Sequence, residues 1–345
     1  MPGLWYAIVA LTLTAWAVLD GFDFGAGIVS PVVARTEAER GAVLAAIGPV
    51  WDGNEVWLIA GGGVFVFAFP HAYAVAMSGM YLPVMLVLWL LIARGSSIEM
   101  RGQLAHPLWR RAWDSFFLAS SLGMAFVAGV AVGIVVRGVP IDDSGWFELD
   151  LFTLSGSRPA AVDGYTGAVG ALAVVVLAAH GASYLAWKTT GEVRARAVRA
   201  ARRAWWVALP LGVAVTVGTW LARPAMFTAL AARPWIWPFP LVAFASPVIA
   251  LGALAHGRDL RGFLASSAFV ASLLLATAGC LSPVLLPSTL GAAFDLEARS
   301  SSPPGRDLTW GLWWWVPAAV LAVLYFVNLF RRSRGRVEAG DGGHG

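Results

Sequence analysis

The sequence predicts an all-α membrane protein: a polytopic bundle of about nine transmembrane helices, N-terminus outside and C-terminus in the cytoplasm. Three observations carry this. Hydrophobic residues make up 59% of the chain and charged residues only 13%, where a soluble domain has roughly 25% charged. The apolar residues fall into about nine runs, each near the roughly 20 residues needed to cross a bilayer. Basic residues alternate between rich and poor connections along the chain.

The runs cover 4–29, 50–69, 73–93, 116–136, 165–187, 204–221, 235–255, 263–286 and 308–330. The first lacks a basic n-region and is too long for a cleaved signal peptide, so it is read as a retained helix. Short gaps between runs point to one membrane domain over 1–336, followed by a disordered cytoplasmic tail at 337–345.

Orientation follows from the positive-inside bias. With the N-terminus outside, the inner connections hold 18 of the 24 basic residues. They include Arg35, Arg40, Arg94, Arg101, Arg110 and Arg111, the stretch from Lys188 to Arg203, Arg258, Arg261 and the arginines after 330. The outer connections keep six, among them Arg158 and Arg306, beside acidic Asp142, Asp143, Glu148 and Asp150. This placement accounts for the pI near 9.6 without a nucleic-acid partner. The stretch from Lys188 to Arg203 reads as a solvated cytoplasmic face or a contact with anionic lipid. A single cysteine, Cys280, excludes a disulfide framework and a Cys-rich metal site.

Four carboxylates break the apolar pattern. Asp20 and Asp23 lie three residues apart near the end of the first run, and Asp52 and Glu55 repeat that spacing at the start of the second. Each pair therefore shares a helical face. An Asp at mid-bilayer costs roughly 2.5–3.5 kcal/mol on insertion scales, so such groups face protein or water and mark ion or proton pathways. Desolvation and a neighbouring carboxylate tune such groups for the proton exchange a relay needs. The chosen topology puts both pairs toward the cytoplasm, and Asp52 is expected to be buried. The structural alternative is that these residues cap helices or accept hydrogen bonds, which fits Asp20 and Glu55 better than Asp23 and Asp52. Trp51, Trp57 and Asn54 are candidates for contact with a quinone ring or a neighbouring helix.

A haem held between helices needs axial His or Met at membrane depth. Of five histidines only His180 falls well inside a run; His71, His106, His256 and His344 lie at edges, in a loop or in the tail. A bis-His haem, a copper site and a zinc site are therefore not expected on this chain. His180 is expected to be a bonded core residue or a member of a proton path.

Four stretches closely resemble subunit II of cytochrome bd, the membrane quinol oxidase family that includes the cyanide-insensitive oxidases. They are Leu19-Asp20-Gly21-Phe22-Asp23-Phe24-Gly25-Ala26-Gly27, Ile47-Gly48-Pro49-Val50-Trp51-Asp52-Gly53-Asn54-Glu55-Val56-Trp57, Phe69-Pro70 with Tyr73 and Ser78-Gly79, and Leu286-Pro287-Ser288-Thr289. The resemblance implies nine helices in two four-helix groups plus a peripheral helix. It also implies a multi-pass protein of the bacterial cytoplasmic membrane, paired with a homologously folded subunit I that carries haems b and d and the quinol site. Such a complex oxidises quinol, reduces dioxygen to water and draws protons from the cytoplasm. Subunit II binds no haem, can hold a structural quinone, is not catalytic alone and is expected to stabilise the assembly. By motif match Asp52 is carried over to a proton route, with Asp23 as its neighbour and Glu55 and Asp20 beyond. The segments 221–236 and 291–309 are short for the family, so contacts there with subunit I or a small accessory subunit are open. Two alternatives are also compatible with the sequence: a proton-coupled secondary transporter, and a purely scaffolding subunit.

Overall fold

The computed structural model describes residues 1–152, 160–303 and 308–338. Arg158, Arg306, His344 and most of the expected tail lie outside the described residues. The helices are α1 (Pro2–Val33), α2 (Glu37–Ile47), α3 (Trp51–Ala68), α4 (Pro70–Gly79), α5 (Tyr81–Met100) and α6 (Pro107–Arg137). They continue with α7 (Gly164–Lys188), α8 (Gly191–Ala222), α9 (Ala225–Ala232), α10 (Pro238–Ala255), α11 (Asp259–Leu281) and α12 (Thr309–Arg332). Eight of them are long and apolar enough to cross a membrane, α10 together with the short turn before it. α3 supplies the ninth expected segment; its first turns are more polar because they carry Asp52, Asn54 and Glu55.

Helix α1 is the centre of the bundle, packing on α3, α6, α7 and α11. Its closest approach is to α7, where Gly25 and Gly181 meet. A Cβ on Gly25 would lie 1.9 Å from the Leu177 carbonyl oxygen, and one on Gly181 only 2.2 Å from the Gly25 carbonyl carbon. The two backbones touch there, which only glycine permits. One apolar cluster fills the end of the bundle around Trp5, Phe69 and Leu286. A second fills the α2 end around Phe22, Ile47, Tyr184 and Leu185. Phe24, Met124 and Trp205 belong to a third. Two short strand pairs lie in the connections: β1 (Asp150–Phe152) runs parallel to β2 (Ala160–Val162), and β3 (Val284–Leu286) antiparallel to β4 (Leu296–Glu297).

Several sequence boundaries are corrected. The run at 73–93 is not one helix. α4 ends at Gly79, whose Cα abuts Phe147 so closely that a Cβ would meet the ring at 2.5 Å, and α5 then runs on to Met100. Arg94 is therefore inside a helix and fully buried, not in an inner connection. The basic stretch after Lys188 is also helical, since α8 begins at Gly191 rather than near Ala204. α11 stops at Leu281, and Val284–Leu286 is a strand. α2 was not expected from hydropathy; it is built on a capping box in which Thr36 and Glu39 exchange side-chain and backbone bonds. Beyond α12, the Val337 N–H donates to the Lys188 carbonyl at 2.7 Å, and the Lys188 ammonium donates to the carbonyls of Ser333 and Gly335.

Candidate functional site: a carboxylate cluster around a buried arginine

The α1/α3 crossing brings three of the four carboxylates together. α1 presents Asp20 and Asp23, α3 presents Asn54 and Glu55, and α5 inserts Arg94 between them. Asp20, Asp23 and Arg94 are fully buried, and the Glu55 side chain is 23% exposed. The Arg94 guanidinium donates to Asp20 through one nitrogen and to Glu55 Oε2 through the other at 3.1 Å. The Trp16 indole donates to the second oxygen of Asp20 at 2.9 Å. Arg94 is walled by aromatic faces, its guanidinium carbon 4.5 Å from the Phe24 ring centre and 5.8 Å from that of Trp51. This placement suits a planar cation deprived of water.

Asp23 is held differently. Asn54 donates to Asp23 Oδ2 at 2.8 Å and to the Leu19 carbonyl at 3.1 Å. Among the described residues Asp23 Oδ1 and Asn54 Oδ1 are buried with no hydrogen-bond partner, as are Arg94 Nε and Trp57 Nε1. Buried polar atoms are paired in the great majority of cases, so the open atoms of Asp23, Asn54 and Arg94 set this crossing apart from ordinary helix packing. The Arg94 guanidinium thus pairs with two carboxyl groups, while the third, Asp23, is held by Asn54.

Asp52 departs from expectation. It lies in the first turn of α3 on the exposed side of the chain, not in the buried cluster. Its helical offset from Asn54 turns it away from α1. Trp51 covers Arg94, while Trp57 packs against Phe326 of α12 at 5.6 Å between ring centres. Asn54 is committed to Asp23. His180 on α7 bonds to Ser266 on α11 at 2.7 Å and to the Val18 carbonyl at 2.9 Å, and its ring stacks on Phe263 at 5.2 Å. It is a bonded core histidine on the opposite side of α1 from Asn54. Arg94 is the residue that sequence reasoning missed. The available signal was the surplus of four membrane carboxylates, which calls for a cation at the same depth. Among the described residues no group of three or more His, Cys, Asp or Glu is placed to hold a metal ion.

The sequence profile of cytochrome bd terminal oxidase subunit II matches residues 1–332. The chain is 29% identical to a probable cytochrome oxidase subunit 2 of Haemophilus influenzae, covering 97% of this chain and 95% of that one. It is 30% identical to cytochrome bd ubiquinol oxidase subunit 2 of Bacillus subtilis, over 87% and 86%. Among solved structures, a chain of the bd oxidase from Geobacillus thermodenitrificans superposes with a TM-score of 0.74 at 18% identity, covering 96% of this chain and 97% of that one.

Proposed function

From the premise that this chain belongs to the cytochrome bd terminal oxidase subunit II family, a family of multi-pass bacterial inner-membrane subunits of a respiratory oxidoreductase, we propose that it is the haem-free, proton-conducting half of a quinol:dioxygen oxidoreductase. In this reading subunit I carries haems b and d, oxidises quinol and reduces dioxygen to water. The present chain stabilises subunit I and passes it protons from the cytoplasm. The observation that carries the reading is the cluster itself: three carboxyls around one buried guanidinium, with Asp23 Oδ1 unpartnered.

Asp52 then acts at the rim. An ionisable group against lipid is costly, so the face of α3 that bears Asp52 requires protein or water beside it, and subunit I is the occupant this reading assigns. A proton accepted at Asp52 or Glu55 reaches Asp23 through the polar atoms of Asn54 and any water they hold. Asp20, bound by both Arg94 and Trp16, fixes the cluster rather than relaying. The positive-inside bias supports cytoplasmic entry and survives the removal of Arg94 from the inner set. Residues 1–336 act as one membrane domain. A structural quinone, lipid and a small accessory subunit are further partners of this reading.

Two experiments test it. The purified complex is expected to contain a haem-bearing partner and to oxidise quinol, whereas a haem-free chain that moves solute would establish the transporter instead. In an assembled Asp52→Asn complex, oxygen consumption is expected to fall at least about tenfold. Full turnover there removes Asp52 from the route.

A further inference from the structure

Helix α8 carries arginines on two faces that meet different surroundings. Arg194 donates to Asp259 at 2.7 Å, and Arg196 is paired with Glu39. Arg199, Arg202 and Arg203 are exposed, and among the described residues their guanidinium groups have no ion pair or hydrogen bond. These three line a cleft of about 220 Å³ together with Trp206, itself 64% exposed.

Above the cleft the same helical face continues as an apolar stripe. Arg203, Trp206, Val213, Val217 and Trp220 follow one another at intervals of three, four and seven residues, the spacing of one face. Val213 is 66% exposed and Trp220 55%. At 1.5 Å per residue the two tryptophans are about 21 Å apart. The face therefore offers three unpaired cations, an amphipathic ring beside them, and then bare apolar surface long enough for an acyl chain. Its place in the bundle argues against a protein occupant. α8 packs chiefly on α7, whereas α3, whose Asp52 face the proposed function assigns to subunit I, packs on α1 and α4.

We propose that Arg199, Arg202, Arg203 and Trp206 form a binding site for the headgroup of an anionic phospholipid, whose acyl chain lies along Val213 and Val217. The guanidinium groups pair with the phosphodiester through charge-assisted hydrogen bonds, and the indole sits at the level where tryptophan is favoured in membranes. Each basic group near an anionic surface strengthens association about fivefold.

The test uses the assembled oxidase in nanodiscs of equal parts dioleoylphosphatidylglycerol and dioleoylphosphatidylcholine, with retained lipid counted by native mass spectrometry after detergent transfer. The wild-type complex is expected to retain the glycerol lipid preferentially. The Arg199→Gln/Arg202→Gln/Arg203→Gln variant is expected to lose that retention at least about tenfold, with the choline lipid unchanged. Arg331→Gln/Arg332→Gln, which removes charge at the end of α12, keeps it. Equal retention in the triple variant overturns the site, as does an equal loss in the α12 variant. Displacement of the glycerol lipid by millimolar inorganic phosphate would make this a free-anion site and overturn the lipid assignment. A photo-crosslinking residue at position 213 is expected to capture lipid; capture of a protein subunit overturns the proposal.

Discussion

At the α2 end of the bundle, Glu39 receives Arg196 from α8 and the backbone N–H groups of Arg35 and Thr36 at 2.6 and 3.0 Å. Arg101 bridges Asp114 at 2.5 Å and Glu37 at 3.0 Å, and Arg40 and Arg110 complete that network. Glu39, Glu37 and Asp114 each have a base beside them. Between α1, α3 and α5, by contrast, Arg94 is the one cation paired with Asp20 and Glu55 among the described residues, and one oxygen each of Asp23 and Asn54 is left unbonded there. Matched charge of this kind fastens helices to one another. Unmatched charge in the membrane interior is expensive to maintain, and its persistence in a well-packed bundle points to use.

The largest expected effect comes from breaking the buried set. Arg94→Gln leaves Asp20 without its counterion, a loss of about 3–5 kcal/mol for a buried pair, and little complex should be recovered from membranes. Asp20→Asn combined with Arg94→Gln removes both charges and should restore part of that yield, measured by in-gel haem stain. If the double variant is no better than the single, the pairing is not what holds the helices. A smaller effect is expected at the crossing that positions the cluster. Gly181→Ala forces α7 off the Gly25 backbone and should cost about 1–3 kcal/mol, read as a lower midpoint in thermal inactivation.

The smallest effect belongs to the matched network. The Arg196 guanidinium holds Glu39 down to about 2, with help from the two backbone N–H groups and against partial desolvation. A carboxyl lowered on folding contributes stability that is complete above its unfolded pKa, ordinarily near 4.3, and is lost as pH falls toward 2. Glu39→Gln should therefore lower thermal stability by about 1–2 kcal/mol at neutral pH, and the gap from wild type should narrow below pH about 4. A gap that widens on acidification would contradict the pairing.

Much of this was legible in the sequence, and the failures have physical causes. Apolar runs report where a helix is greasy, not where it ends. α5 therefore hid Arg94 beyond Ala93, and α8 hid its basic first turns, which Ala and Arg make helical without making them apolar. The capping box at Thr36 and Glu39 was readable, but α2 is too polar for a hydropathy window. Asp20, Asp23 and Glu55 were recognised as unusual from insertion cost alone, yet spacing along one helix does not reveal which face meets another. Asp52 shares a turn with Asn54 and points the other way, a difference decided by how α3 rotates against α1.

The central claim, that the unmatched cluster conducts protons, is tested most directly at Asp23, which is buried and, among the described residues, bonded only through Asn54 and paired with no cation. Proton uptake and oxygen reduction would be followed together in an Asp23→Asn complex of normal subunit composition and optical spectrum. Both rates are expected to fall at least about tenfold; wild-type rates in that intact complex would contradict the account and leave the cluster a structural fastening.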